Sequence, residues 1–212
     1  MSDDASRELR EVQAHFRLPG VGLVEKDLHV VNAIAALAAI DAAPFALIFG
    51  GGTALARAHK VVRRMSEDVD FKMVPAPAAP TSRNGLHRQL SALRKRVTAA
   101  LRAAGFAVDP ADDTQVRSQN ESRYTVYQLP YVTTEAGEGL RPTIQIELTY
   151  AHLRTAPVVL PVSSFVAEAF GRAPEVSSIA CVSVTETAAE NRPTVFLCSL
   201  CLNRKSDLCY HY

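Results

Sequence analysis

The stretch "FGGGTALARAHKVVRRMSEDVDFKM", residues 49–73, has a run of glycines at one end and two closely spaced aspartates at the other. The apolar run "PFALIFG", which leads into the glycines, is typical of a short buried strand. The residues "TALARAHKVV" then predict a short helix whose first backbone N–H groups face the glycine turn. A phosphate would suit this place, although glycine turns also precede helices for steric reasons alone. Neither a P-loop nor a dinucleotide fingerprint is present, which excludes the common nucleotide motifs.

The acidic end of this stretch predicts a strand with two carboxylates on one face. In "DVDFKMV", polar and apolar residues alternate, so Asp68 and Asp70 point the same way. Two carboxylates this close repel one another unless a cation or an arginine lies between them. The pair therefore indicates either a divalent metal or a solvated strand face paired with Arg63 or Arg64, and the spacing of the two acids alone does not decide between them.

A third acid lies on a later predicted strand. In "PTIQIELTYA", Glu147 shares one face with Gln145 and Thr149, while the isoleucines and the leucine point into the core. If this strand lies beside the aspartate strand, Glu147 would complete a site for two Mg²⁺ ions. Such sites align a nucleoside triphosphate and activate an attacking oxygen.

The remaining pattern predicts an α/β or α+β domain with one small mixed sheet flanked by helices. Helical spacing occurs in residues 6–18, 24–40 and 86–105, and a further helix is predicted at "TETAAE" with Thr185 as its N-cap. The predicted strands outside the opening stretch are "FAVD", "SRYTVYQLPYV", "PTIQIELTYA", "APVVLPVSSF" and "SIACVSV". The second and third of these are joined by a glycine-containing hairpin loop, "TTEAGEGLR".

Composition excludes several classes of protein. The 23 Lys and Arg residues balance 22 Asp and Glu residues, so no overall charge draws the 212-residue chain to nucleic acid. A local RNA surface is one interpretation of the basic residues between Arg88 and Arg102, and a solvated helix face is the other. The apolar runs are shorter than a membrane span and the first residues are too polar for a secretion signal, so we expect a cytoplasmic protein that contacts no membrane.

The four cysteines are all at or beyond Cys181, so no disulfide framework covers the main body of the chain. Cys198 and Cys201 form a C-x-x-C pair with only His211 nearby. Without a second pair, this spacing is weak evidence for a zinc or redox site.

Several separated pieces of the chain resemble one protein family. "VEKDLHVVNAIAAL" is similar to the family's N-terminal Glu-Lys-Asp helix, and "GGTALAR" with "RMSEDVDF" resembles its active-site core. "IQIELTYA" resembles its acid-bearing third strand, and "SIACVSVTETAAE" the approach to its C-terminal helix. The family is that of the AbiEii/AbiGii type IV toxin nucleotidyltransferases, to which the MenT toxins are also similar. The resemblance covers roughly residues 20–190.

This resemblance implies an enzyme of the DNA polymerase β-like nucleotidyltransferase superfamily. Such an enzyme transfers a nucleotide from an NTP, with Mg²⁺ or Mn²⁺, to an acceptor, which in MenT-like relatives is the 3′ end of tRNA. A cognate antitoxin protein is a further implied partner, and abortive infection is the implied setting. In-line displacement at the α-phosphate depends on positioning and charge neutralisation more than on covalent chemistry.

The resemblance also assigns roles to single residues. Asp68 and Asp70 would hold the metals, and Glu147 would complete the metal site or act as base toward the acceptor hydroxyl. Ser66 would line the nucleotide site, and Arg57 would add positive charge beside the triphosphate. The residues that would cradle the triphosphate are Gly51, Gly52 and Thr53.

The chain departs from the family near its C-terminus. We expect residues 1–190 to form the nucleotidyltransferase domain and residues 191–212 an atypical tail. Asn191 occupies the place of the family's lysine, and Pro193 would interrupt a helix that has only begun. Asp207 in "RKSDL" is a faint echo of the family's last acidic motif. We hypothesise that the tail is frameshifted or truncated at about residue 191, which resequencing of the gene would test.

Two other functions fit the same residues. One is a catalytically inactive family remnant that binds nucleotide or an antitoxin. The other is a metal-dependent phosphoesterase or nuclease that uses the same carboxylates.

Overall fold

The computed structural model of the chain describes residues 3–62, 66–133 and 139–190. These residues form six helices and seven strands. The helices are α1 (Asp3–Phe16), α2 (Val21–Ala38), α3 (Gly51–Arg57), α4 (Arg83–Ala103), α5 (Phe165–Ala169) and α6 (Val184–Glu190). The strands are β1 (Phe45–Gly50), β2 (Asp68–Pro75), β3 (Val116–Gln119), β4 (Tyr124–Pro130), β5 (Thr143–Tyr150), β6 (Val158–Val162) and β7 (Val176–Cys181).

All seven strands belong to one mixed sheet in the order β3-β4-β5-β2-β1-β7-β6. β2 pairs in parallel with β5, and β1 pairs in parallel with β7. The other neighbouring strands are antiparallel. The predicted fold class, a small mixed sheet flanked by helices, is therefore confirmed.

The core lies between the long helices and one face of the sheet. The stripe predicted for residues 86–105 is buried in α4, and its members Leu90, Leu93, Val97 and Leu101 are at most 1% exposed. They pack in one cluster with apolar residues of α2 and with the core-facing residues of β2 and β5. Burying each such side chain stabilises the fold by about 1.5–3 kcal/mol. Burial alternates along β2 and β5, so their other face is left for polar residues.

Several predicted elements differ from the structure. "FAVD" is not a strand: Phe106 and Val108 are buried, but their segment is an irregular connection tied back to the end of α4. β3 and α5 were not predicted, because each is very short. The residue that caps α6 is Ser183, whose hydroxyl accepts from the Glu186 backbone N–H at 3.1 Å, so the prediction of Thr185 was wrong.

α2 carries a buried ion pair. The Asp27 carboxylate contacts Arg57 Nε of α3 at 2.8 Å and accepts from the Phe165 backbone N–H at 2.6 Å. The Arg57 guanidinium carbon lies 3.5 Å from the centre of the Phe165 ring. Burial raises the pKa of Asp27 to about 6 although the Arg57 charge opposes this, so bringing the carboxylate into the interior is costly. The pair thus fixes α2, α3 and the start of α5 to one another.

The two residues before Asp27 are buried as well. Lys26 is fully buried, and its ammonium donates to the Glu67 carboxylate and, at 2.8 Å, to the Arg141 backbone oxygen. Glu25 accepts from the Thr133 hydroxyl. Since Glu67 precedes β2 and Arg141 precedes β5, Lys26 holds together the starts of two strands that pair in parallel.

Some predictions concern residues outside the described ranges. They concern three separate stretches: Arg63 and Arg64, residues 134–138 of the hairpin loop between β4 and β5, and the tail at residues 191–212. The division of the chain at residue 190 therefore stays a prediction. Within the described ranges, none of the helices combines the length and apolar character needed to cross a bilayer.

Replacing Asp27 with alanine should lower the free energy of unfolding by about 3–5 kcal/mol, because Arg57 would keep a buried charge with no carboxylate opposite it. Urea unfolding measures the change. The control is Asp4→Ala, which breaks an exposed pair with Arg7 and should cost less than about 1 kcal/mol. Equal losses in the two variants would show that the Asp27–Arg57 pair does not hold the helices together.

Candidate active site

The three predicted acids lie on one polar face of the sheet. Asp68 and Asp70 are on β2, and Glu147 is on β5, directly opposite Asp70 in the parallel register. Side chains opposite one another on neighbouring strands point to the same face, so the three carboxylates share this face. Gln145 stands opposite Asp68 in the same way.

The surroundings of Asp70 raise its pKa. Burial raises the pKa of Asp70 to about 6, and the negative charges of Glu147 and Asp68 act in the same direction. Lys72, two residues along β2, opposes them only in part. Burial and a hydrogen bond to Glu147 also raise the pKa of the Tyr124 hydroxyl on β4. An excess of negative charge therefore lies on this part of the sheet, where a cation would be stabilised.

The glycines of the opening stretch begin α3 rather than forming a separate turn before it. Gly50 is the N-cap and offers no side-chain cap, so the first N–H groups of the helix have no capping side chain to accept them. Gly51 has φ +69°, and a Cβ there would lie 1.8 Å from Asp70 Oδ2. Only glycine lets the start of α3 approach the acid this closely.

The side chains of two predicted nucleotide-binding residues, Thr53 and Arg57, are buried and bond to other parts of the protein. The Thr53 hydroxyl, 1% exposed, donates to the Asp68 backbone oxygen and lies 3.4 Å from the Ser66 backbone oxygen. Thr53 therefore anchors α3 to the start of β2, and only its backbone N–H remains to face a phosphate. Arg57 is committed to Asp27 and the Phe165 ring, so the structure assigns it a structural pairing instead of charge beside the triphosphate. Ser66 is half-buried just before β2, as the sequence placed it.

Arg141 and Gln145 also contact the acids, and no role in the site was predicted for either residue. Arg141 Nη2 lies 2.6 Å from Asp68 Oδ1, and Arg141 Nη1 donates to Gln145 Oε1 at 3.2 Å. Gln145 Nε2 in turn donates to Glu147 Oε1 at 2.6 Å. The alternation of β5 could have pointed to Gln145, but no sequence pattern identifies Arg141, which lies in the loop before the strand.

The donor set fits a divalent metal by its chemistry. Carboxylate oxygens are the ligands that Mg²⁺ and Mn²⁺ prefer, and the close approach of Gly51 leaves backbone rather than side chain beside Asp70. As the described residues stand, no three His, Cys, Asp or Glu side chains converge on one point where an ion could be held. Two of the acids are hydrogen-bonded to other side chains: Asp68 accepts from Arg141, and Glu147 accepts from Gln145.

A cavity of about 870 Å³ lies beside the acids, at the far end of β5. It is lined by Arg83 at the start of α4, by Arg123 and Tyr124 at the start of β4, and by Thr149 and Tyr150 of β5. Asn120 and Glu121, which also line it, have positive φ angles of 50° and 57°. Left-handed backbone in residues other than glycine is costly and often occurs at functional sites.

The basic helix is less available to RNA than its sequence suggests. Arg96 donates to the backbone oxygens of Asp41 and Ala43 at 2.8 Å, and Arg102 Nε donates to the Val108 oxygen at 2.9 Å. These guanidiniums tie α4 to neighbouring loops.

The chain matches the model of a protein family and is similar to a solved structure. The model of the family "Nucleotidyl transferase AbiEii toxin, Type IV TA system" matches residues 35–190, more than half of the chain. Among solved structures, the chain is similar to MenT4, a nucleotidyltransferase toxin from Mycobacterium tuberculosis H37Rv, with a TM-score of 0.54 and 18% identity. The match covers 88% of this chain and 58% of that one, so the chain spans little more than half of MenT4's length. No curated protein matches the sequence.

Gly51→Ala should destabilise the protein more than Gly171→Ala does. Both positions have positive φ, but a Cβ at residue 171 meets nothing within 4 Å, whereas one at residue 51 meets Asp70. Gly171→Ala should therefore lower the free energy of unfolding only by the cost of a left-handed backbone in alanine, about 1–2 kcal/mol. Gly51→Ala should lower it further, because its Cβ would also collide with the Asp70 side chain. Urea unfolding of both variants measures the difference, and equal losses would contradict the close packing of α3 on Asp70.

Proposed function

Because the chain belongs to the AbiEii family of nucleotidyltransferase toxins of type IV toxin–antitoxin systems, we propose that it transfers a nucleotide from an NTP to an acceptor in a Mg²⁺-dependent reaction. The observation that carries the proposal is the placement of Asp68, Asp70 and Glu147 on one sheet face, with the uncapped start of α3 against Asp70. Residues 1–190 are proposed as the domain that does this.

The roles of the residues follow from their positions. The backbone N–H groups at Gly51, Gly52 and Thr53 would bind the triphosphate, helped by the positive end of the α3 dipole. Ser66 would line the nucleotide site at the entry to β2. The three acids would hold Mg²⁺ or Mn²⁺, which when bound polarises the phosphoryl oxygens and neutralises developing charge.

The transfer itself is an in-line displacement. The acceptor hydroxyl oxygen forms a bond to the α-phosphorus while the bond from that phosphorus to the bridging oxygen breaks, and pyrophosphate leaves. Glu147 is proposed to accept the hydroxyl proton, since it lies on the face where the acceptor would arrive. The Tyr124 hydroxyl, hydrogen-bonded to Glu147, orients that carboxylate.

A nucleic-acid acceptor, such as the 3′ end of tRNA, is supported by the cavity beside Glu147. Arg123, which lines it, is exposed and could neutralise a phosphate, whereas the other exposed arginine, Arg83, is paired with an acid of the same cavity. Tyr124 and Tyr150 offer aromatic rings to unstacked bases. Because Tyr124 also contacts Glu147, a strand in this cavity would have its end close to the acids. The other partner implied by a type IV system is a cognate antitoxin, and the chain's likeness to only part of MenT4 leaves the whole toxin's activity a proposal.

Asp68→Ala should abolish label transfer, with a rate at least about a thousandfold below that of the unchanged protein, because a metal ligand of the transition state is lost. The assay incubates the protein with Mg²⁺, each labelled NTP in turn and total tRNA. Asp113→Ala, at an exposed loop position away from the sheet, should leave transfer unchanged.

Other outcomes of this assay point to the other functions. Metal-dependent cleavage of RNA without transfer would favour a phosphoesterase or nuclease. Neither transfer nor cleavage would leave an inactive module that binds nucleotide or an antitoxin.

Arg123→Ala should raise the KM for the acceptor about tenfold and leave the KM for the NTP unchanged, since it removes a phosphate contact in the proposed acceptor cavity. The comparison variant is Arg88→Ala, an exposed arginine of α4 that does not line the cavity. If Arg88→Ala has the larger effect on the acceptor KM, the outer face of α4 is the RNA surface and the cavity is not.

A further inference from the structure

The geometry points to Arg141 as a counter-ion that occupies Asp68 and exchanges with a divalent cation when the site is loaded. We propose that this exchange releases the guanidinium to contact the triphosphate, so that Arg141 is a positioning residue with two successive partners. The inference rests on the proposed function in one respect, because it takes Asp68 to be a metal ligand.

The first support is the direct contact. Arg141 Nη2 lies 2.6 Å from Asp68 Oδ1, which is the distance of a charge-assisted hydrogen bond. In this position the guanidinium competes with a divalent cation for the Asp68 carboxylate, because the same negative charge attracts both. Among the described residues, no three His, Cys, Asp or Glu side chains are arranged to hold a metal ion while this contact is present.

The second support is the reach of the same guanidinium toward Glu147. Arg141 Nη1 donates to Gln145 Oε1 at 3.2 Å, and Gln145 Nε2 donates to Glu147 Oε1 at 2.6 Å. One side chain therefore influences two of the three acids, directly at Asp68 and through Gln145 at Glu147.

The third support is that the backbone and the side chain of Arg141 are held differently. The backbone N–H donates to Glu67 Oε2 at 3.0 Å, and the backbone oxygen accepts from buried Lys26 at 2.8 Å. The side chain, by contrast, is 44% exposed. The guanidinium can thus change partner while its anchor stays in place beside the acids.

A divalent cation should bind the acids more strongly than the Arg141 guanidinium does, which favours its exchange for the guanidinium. An ion pair that is half-exposed on both sides is weak, whereas a divalent ion is the largest local charge in a carboxylate site. A released guanidinium would remain near the start of β2, where its fork suits a phosphate. It would supply the positive charge that Arg57, committed to Asp27, does not.

Mn²⁺ binding without nucleotide, followed by electron paramagnetic resonance, tests the first step. Arg141→Ala should bind Mn²⁺ about threefold to tenfold more tightly than the unchanged protein, because the competing cation is gone. Arg141→Lys should give an intermediate affinity, since an ammonium cannot span Asp68 and Gln145 together. The matched control is Arg172→Ala: Arg172 is similarly exposed and pairs with Glu8, so its removal should leave Mn²⁺ affinity unchanged.

Binding of non-hydrolysable NTP analogues at saturating Mn²⁺ tests the second step. Arg141→Ala should bind them about tenfold more weakly, because the freed guanidinium is missing. Unchanged or weaker Mn²⁺ binding by Arg141→Ala, or no Mn²⁺ binding by any variant, overturns the exchange. Unchanged analogue affinity overturns the contact with the triphosphate. Circular dichroism checks that each variant is folded. If Arg141→Ala is unfolded, the same two affinities are measured on Arg141→Lys instead.

The proposed function fails separately from this inference. Transfer activity in the unchanged protein together with equal Mn²⁺ affinities would keep the function and remove the exchange. Tighter Mn²⁺ binding by Arg141→Ala without any transfer would keep the exchange and remove the function.

Discussion

Three consecutive buried charges on α2 are the constraint on which the rest of the domain depends. Successive residues of a helix point about 100° apart, so Glu25, Lys26 and Asp27 reach three different parts of the chain. A buried charge without a partner is costly, and each of these residues therefore fixes the segment that satisfies it. Asp27 fixes α3 and α5. Glu25 fixes the segment that follows β4, and Lys26 fixes the residues that precede β2 and β5.

The arrangement of the three acids follows from the last of these contacts. Because Lys26 joins Glu67 to the backbone of Arg141, β2 and β5 begin side by side and run in the same direction. Asp70 then stands opposite Glu147, and a shift by one residue would turn one set of acids into the core. The start of α3 closes on Asp70 through a position that only glycine fits. Helix packing, strand register and backbone conformation thus together place the three acids on one face of the sheet.

The sequence predicted those features that depend on local periodicity. The buried stripe of α4, the alternation of β2 and β5 and the shared face of the aspartates all follow from residue spacing. It could not supply features that depend on long-range partners. Arg57 has the same local context whether it faces phosphate or Asp27, and only the packing of α5 decides between them. Arg141 lies in a loop and belongs to no periodic pattern. The Glu-Lys-Asp run of α2 could be identified from its resemblance to the family, but the residues that these charges contact could not be predicted from it.

The parallel pairing of β2 with β5 has a consequence for synthesis of the protein. The two strands are separated in sequence by α4, β3 and β4, so their contacts are non-local and form late. A nascent chain on the ribosome carries the aspartate pair long before Glu147 has been translated. The three acids can therefore share one face of the sheet only after translation has passed β5, and a chain that stops before β5 carries the aspartates without their partner strand.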